Sequence, residues 1–281
     1  MAHTPEELEG KLLSNVELFS AKISWLAWGW RNIDPWQRQV LLTKDRYMIL
    51  NCSRQSGKSS ILMLKAFQKA LTTPNALILI IAEQRQSNED LRKIDELVKA
   101  YDSYLRRRYE GRLVLSLLKD NVTSKEFENN ARIVALPGNE KIRGYSAPTI
   151  VIIDEAGYVD DNVFIAVDPM MEVSQGQLIL ASTPNGTSGF YPQEWGNPRY
   201  TARFQVPWQQ CPRISKESIE SKRLMYGESY VRQEYETRFL DDVAALFTEK
   251  SLYESMDPDQ EVFSEEMQGI QRAVTGDAEL I

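Results

Sequence analysis

Histidine is nearly missing from this 281-residue chain, where His3 is the one present. It stands at the N-terminal edge, so histidine chemistry is effectively excluded. Cysteine is almost as scarce: Cys52 and Cys211 are the two in the chain, too few for a disulfide framework or a zinc site. No apolar run approaches the roughly 20 residues that a membrane span needs. The opening residues, Met1-Ala2-His3-Thr4-Pro5-Glu6-Glu7, carry neither the basic nor the apolar stretch of a signal peptide. These absences point to a reducing, intracellular compartment. Positive charge is also in deficit. The net charge of −7 argues against a surface that coats nucleic acid everywhere, but leaves room for a local basic face.

What remains is ordinary for a globular chain. A hydrophobic fraction of 42% with 26% charged residues suits one large α/β domain, or a domain with a smaller appendage. Leu8, Leu12, Leu13, Val16 and Phe19 recur at helical spacing, so residues 1–20 read as one amphipathic helix. With Trp25, Trp28 and Trp30 behind it, this helix is expected to form a hydrophobic flap packed on the core. Asp34-Pro35 opens another helix, with Asp as N-cap and Pro at the first helical position.

From there strands and helices alternate. Residues 47–51 and 76–82 read as strands, 58–71 as a helix, and 87–109 as a long helix capped by Ser87 with Asp90 three residues on. The second strand has no polar alternation, the pattern of a strand buried on both faces of a parallel sheet. Residues 123–127 and 131–136 read as a hairpin turning at Asn129-Asn130, since Asn tolerates positive φ. Residues 149–153 and 177–181 are further buried strands. Residues 215–239 form two helices broken at Gly227. The expectation is a mostly parallel sheet with helices on both faces and a local antiparallel departure at the hairpin.

Two motifs carry chemistry. Gly57-Lys58-Ser59 matches the end of the phosphate-loop pattern G-x-x-x-x-G-K-[ST], although Cys52 stands where the first glycine is usual. A strand precedes the loop and a helix follows it, so successive N–H groups of Ser53, Arg54, Gln55, Ser56, Gly57, Lys58, Ser59 and Ser60 can face a phosphate at a helix N-terminus. Lys58 would reach the β- and γ-oxygens, Ser59 would coordinate Mg²⁺, and Arg54 is a further cation near the γ-phosphate. The second motif is Ile150-Val151-Ile152-Ile153-Asp154-Glu155, an apolar strand ending in two carboxylates. Asp154 suits Mg²⁺ and Glu155 suits the water that attacks the γ-phosphate.

A third run, Leu180-Ala181-Ser182-Thr183-Pro184-Asn185-Gly186, ends another strand, with Phe190-Tyr191 soon after. Together with the first two motifs, it resembles the ATPase domain of the large terminase subunit of tailed double-stranded DNA bacteriophages. The resemblance covers residues 30–247 and takes in Pro207-Trp208 and Val231-Arg232-Gln233-Glu234-Tyr235-Glu236. Loops of that family often lack the first glycine and contain an arginine, as Cys52 and Arg54 do here.

The resemblance implies an α/β P-loop NTPase of the RecA/ASCE type. It would have an N-terminal helical segment over 1–33, an ATPase core over 34–210 and a helical subdomain over 211–240, with an acidic linker or tail over 241–281. It also implies that Gln37, within Pro35-Trp36-Gln37-Arg38-Gln39, recognises adenine, and that Ser182-Thr183 couples γ-phosphate loss to DNA movement. The arginine finger is either Arg54 in its own subunit or Arg143 supplied by a neighbour. The implied ligands are ATP and Mg²⁺. The implied partners are double-stranded DNA, a portal protein, a small terminase subunit and further copies in a pentameric ring, acting at the procapsid in the host cytoplasm.

Arg106-Arg107-Arg108 with Arg112 is the densest basic cluster, and complementing a helix dipole explains it more simply than a phosphate-binding face. The residues after Leu240 are too few for the nuclease domain that large terminases carry, so ATPase and no nuclease activity is expected of this chain. Two other readings fit parts of the motif set: a helicase, which needs a second RecA-like domain, and a nucleotide-binding switch without turnover, against which Glu155 argues.

Overall fold

A computed structural model describes residues 4–138, 142 and 144–240; Arg143 and the expected acidic tail lie outside the described residues. The flap is two helices rather than one, α1 (Pro5–Ser14) and α2 (Val16–Trp28). Asn15 makes the break. It closes α1, and its side-chain oxygen accepts the Leu18 N–H at 3.1 Å as the N-cap of α2. Asparagine satisfies an orphan N–H better at a cap than it serves mid-helix, and this outweighs the continuous apolar spacing. Phe19 and Ile23 of α2 are fully buried, and the indole of Trp28 donates to Glu96 at 2.8 Å. The flap therefore packs on the core as expected.

Next come α3 (Pro35–Leu42), β1 (Tyr47–Cys52), α4 (Lys58–Thr72), β2 (Leu77–Ala82) and α5 (Gln84–Arg108). Helix α3 opens at Asp34-Pro35, as the sequence indicates. Helix α5 departs from expectation by starting three residues early, with Glu83 as N-cap. Ser87 is no cap; its hydroxyl donates back to the Gln84 carbonyl at 3.0 Å inside the first turn. One residue separates β2 from α5, so the turn leaving the sheet sets the helix start and overrides the local cap signal.

The hairpin is β4 (Ser124–Phe127) and β5 (Arg132–Pro137), antiparallel, with Asn130 at φ 61° in its turn. A short strand not foreseen, β3 (Leu117–Asp120), pairs with β4. The chain continues through β6 (Ile150–Asp154), α6 (Asp161–Ser174), β7 (Gln177–Ser182), α7 (Phe190–Gly196) and β8 (Ala202–Val206). Strand β8, also unforeseen, runs parallel to β1 at the sheet edge. Helices α8 (Lys216–Tyr226) and α9 (Glu228–Glu234) are broken at Gly227, which takes φ 85°. Ile219, Val231 and Tyr235 give this helix pair a small core of its own.

The eight strands form one sheet in the order β3-β4-β5-β2-β6-β7-β1-β8. From β5 to β8 every pairing is parallel. Alternate residues feed two apolar layers. Met48, Leu50, Ile78, Ile80, Ile152 and Ile179 face α2, α4 and α5, while Ile49, Leu79, Ile81, Val151, Ile153 and Leu180 face α6 and α7. Period-two side chains buried on both faces explain the unbroken apolar runs. Strand β7 lies between β1 and β6, so the loop after β1, the acidic pair at the end of β6 and the Ser-Thr pair at the end of β7 meet at one edge, at the carboxyl ends of parallel strands.

Candidate active site

The turn from β1 into α4 needs two left-handed residues, Gln55 at φ 59° and Gly57 at φ 89°. Gly57 is also sterically pinned. A Cβ there would stand 3.0 Å from the Gln37 amide nitrogen and 3.3 Å from the Trp30 ring. The missing first glycine is tolerated because Cys52 is still inside β1, fully buried and extended. The loop backbone is tied from outside: Ser53 N–H donates to Val206 at 2.8 Å and Arg54 N–H to Glu234 at 2.8 Å. The first N–H groups of α4 are not paired within the helix and face a cavity of about 280 Å³, lined by residues 53–60 with Gln86, Lys93 and Glu155. The Ser56 and Ser182 hydroxyls are buried without a partner among the described residues. Unpaired N–H groups, a buried lysine and paired carboxylates form a donor and acceptor set that fits a Mg²⁺-bound polyphosphate.

Lys58 crosses this cavity. Its ammonium lies 2.5 Å from Glu155 Oε1 and 3.8 Å from Asp154 Oδ1. Burial by itself would lower its pKa, but Asp154 and Glu155 reverse that and hold it above the ordinary lysine range. Asp154 is fully buried at the end of β6. Glu155 takes φ 53°, a left-handed backbone for a non-glycine residue, which turns its carboxylate back over the phosphate loop.

Several neighbours carried no local signal. Gln86 donates from one amide nitrogen to Asp90 at 2.9 Å and to Asp154 at 3.4 Å. Lys93, one further turn along α5, pairs with Asp90 at 2.9 Å. Burial, and then the Asp154 charge, push the Asp90 carboxyl up. Helical spacing of 86, 90 and 93 is the one trace of this row in the sequence. On the opposite side, Arg213 forks onto Asp34 at 3.1 and 2.7 Å, donates to the Ser56 carbonyl at 2.8 Å and lies over Trp30.

The remaining expected site residues are placed as follows. Gln37 is fully buried; its oxygen accepts the Asp34 N–H at 3.0 Å and its nitrogen donates to the Ser56 carbonyl at 3.4 Å. Trp36 belongs to the core. Ser59 and Ser60 line the cavity. Arg54 reaches Glu234 at 3.2 Å. Ser182, the last residue of β7, and Thr183 after it are buried. Arg106, Arg107 and Arg108 occupy the last turn of α5, where cations complement the helix dipole.

This architecture, a mostly parallel sheet with a phosphate-type loop and an acidic pair at its carboxyl edge, is a P-loop NTPase fold. Within that class, the fold is that of the ATPase domain of phage large terminases. The P74-26 Thermus phage large terminase ATPase domain matches with a TM-score of 0.59 at 20% identity, over 77% of this chain and 97% of that one. The HK97 bacteriophage large terminase gives 0.57 at 14% identity, over 73% and 50%. The large terminase of the thermophilic bacteriophage D6E gives 0.53 at 14% identity, over 78% and 53%. This chain thus spans about half the length of the HK97 and D6E proteins. No family model and no curated protein matches the sequence.

Proposed function

We propose that this chain is the ATP-hydrolysing motor of a phage large terminase and drives double-stranded DNA into the procapsid during packaging. One observation carries the ATPase part: Lys58 of the phosphate loop lies 2.5 Å from Glu155 and beside Asp154, so three side chains from two distant segments converge where a γ-phosphate would sit. Residues 53–60 bind the phosphates, Lys58 and Arg54 stabilise charge on the transferring phosphoryl, and Glu155 orients the attacking water. Ser59 and Asp154 would hold Mg²⁺, which when bound neutralises phosphate charge. Ser182 and Thr183 report phosphate loss.

Gln37 is the adenine-recognising residue in this reading, through an amide now engaged with Asp34 and Ser56. Arg143 from a neighbouring copy is the alternative to Arg54 as the finger. The proposed division is 1–33, 34–210 and 211–240 within the ATPase domain, followed by an acidic linker or tail over 241–281. A ring of copies would act with DNA, a portal protein and a small terminase subunit in the host cytoplasm; no helix among the described residues is long and apolar enough to cross a membrane.

The test is Mg²⁺-dependent ATP turnover measured with and without DNA and portal protein. Turnover that rises with both supports the motor. Tight ATP binding with no turnover under either condition rejects it in favour of a switch.

A further inference from the structure

Ion pairs along α5 are of two kinds. Arg92 with Glu89, Arg92 with Glu96 and Arg106 with Asp102 lie at 2.8, 2.8 and 2.7 Å, and these arginines are 62% and 57% exposed. Exposed pairs of this sort contribute little. Lys93 and Asp90 form a different pair at 2.9 Å, in which the carboxylate is fully buried and the lysine 19% exposed. Burying two charges costs more than their attraction returns unless further hydrogen bonds satisfy both. Asp90 falls short of that. Its Oδ1 accepts Lys93 and the Gln86 amide, each at 2.9 Å, while its Oδ2 is buried without a partner among the described residues. As a structural tie the pair is poor.

What the pair does achieve is placement. One residue separates β2 from α5, and β2 is paired with β6 up to Ile81 and Ile153. The first turns of α5 therefore stand at the end of β6, where Gln86 reaches Asp154. Leu91, Ile94 and Leu97 anchor the helix in the core, and Lys93 lines the cavity of the phosphate loop and Glu155. Asp90 takes one of the three N–H donors of the ammonium, which leaves two for other acceptors. The charge around this cavity calls for such a group. Lys58 is shared by Asp154 and Glu155, and Arg54 is paired with Glu234. A polyphosphate entering beside the carboxylates of Asp90, Asp154 and Glu155 meets repulsion that a further cation offsets.

We propose that Lys93 is a phosphate-binding residue, whose ammonium, held at the cavity wall by Asp90, contacts the polyphosphate of a bound nucleotide alongside Lys58. This rests on the ATPase reading above and adds a cation from α5, outside the phosphate-loop motif.

The experiment is calorimetric titration of the full chain with Mg²⁺-ATPγS, using the wild type, K93M, D90N/K93M and R92M. K93M and D90N/K93M are expected to bind about tenfold more weakly, the usual weight of a hydrogen bond between charged groups. R92M removes a cation from the exposed side of the same helix and is expected to bind as the wild type does. D90N/K93M separates contact from structure. It removes both charges together, so no buried carboxylate is left unpaired at position 90, and a purely structural pair would show wild-type binding in it. Wild-type affinity in D90N/K93M overturns the proposal, as does an equal loss in R92M. Binding by the wild type is also expected to weaken more steeply with added KCl than binding by D90N/K93M, which has one ionic contact fewer to screen; equal slopes overturn the proposal. A wild-type chain that neither binds ATPγS nor hydrolyses ATP overturns the ATPase reading as well, whereas a wild type that binds, with D90N/K93M its equal, overturns the Lys93 contact alone.

Discussion

Lys58 and Glu155 show how a single side chain can be diagnostic. A lysine held 2.5 Å from one carboxylate and 3.8 Å from another has its charge paired in the fold, and in the proposed reading it is the group that meets phosphate. Glu155→Ala leaves the phosphate loop intact, so it should bind ATP yet lose turnover by about a hundredfold or more, the usual weight of a positioned base. Fluorescent-nucleotide binding beside a phosphate-release assay checks this, and unchanged turnover rejects the assignment.

Lys65 is a second buried lysine with a different fate. It donates to the carbonyls of Val40, Leu41 and Thr43 at 3.1, 3.1 and 2.7 Å, closing the C-terminal end of α3. Burial, with Lys69 and Lys44 nearby, lowers its pKa to about 8. An unfolded lysine keeps its proton to about 10.4, so between these values the unfolded chain binds the proton and the folded chain does not. Stability is penalised below about 8 and should rise toward pH 10, by up to roughly 3 kcal/mol for this group. Urea midpoints at pH 8 and 10 for wild type and Lys65→Met measure it. Equal slopes in the two would refute the assignment.

At the scale of elements, the informative cases are those where a cap competes with a periodicity. Asn15 splits an apolar stripe into α1 and α2, and Asn15→Ala should cost about 1 kcal/mol while leaving the flap in place, as thermal unfolding would show. The start of α5 resolved the other way: Ser87 looks like a cap but lies inside the helix. That shift brings Gln86, Asp90 and Lys93 onto the face that meets Asp154 and the phosphate loop. The edge strands β3 and β8 escaped notice because each is short and partly exposed, so neither shows the unbroken apolar run that marks β2 and β6.

Across the whole molecule, the order β6-β7-β1 gathers the ends of three strands into one site. A ligand bound there engages elements from both halves of the sheet and stabilises the fold as a unit. Mg²⁺-ATP at a hundred times its dissociation constant should add about 2.7 kcal/mol. That should appear as a raised thermal midpoint in the wild type and be lost in Lys58→Ala.

The sequence by itself determined the parallel sheet, because strands buried on both faces leave unbroken apolar runs. It also located the phosphate loop and the acidic pair, since each is a short motif at a strand end whose chemistry depends on adjacent residues. The tertiary structure alone decided the partners of those motifs. Glu234 lies 180 positions from Arg54, Arg213 lies 157 from Ser56, and Gln86 lies 68 from Asp154. Such pairs obey no local periodicity. They form because crossing connections bring distant strand and helix ends to one edge of the sheet, where burial favours pairing of polar groups.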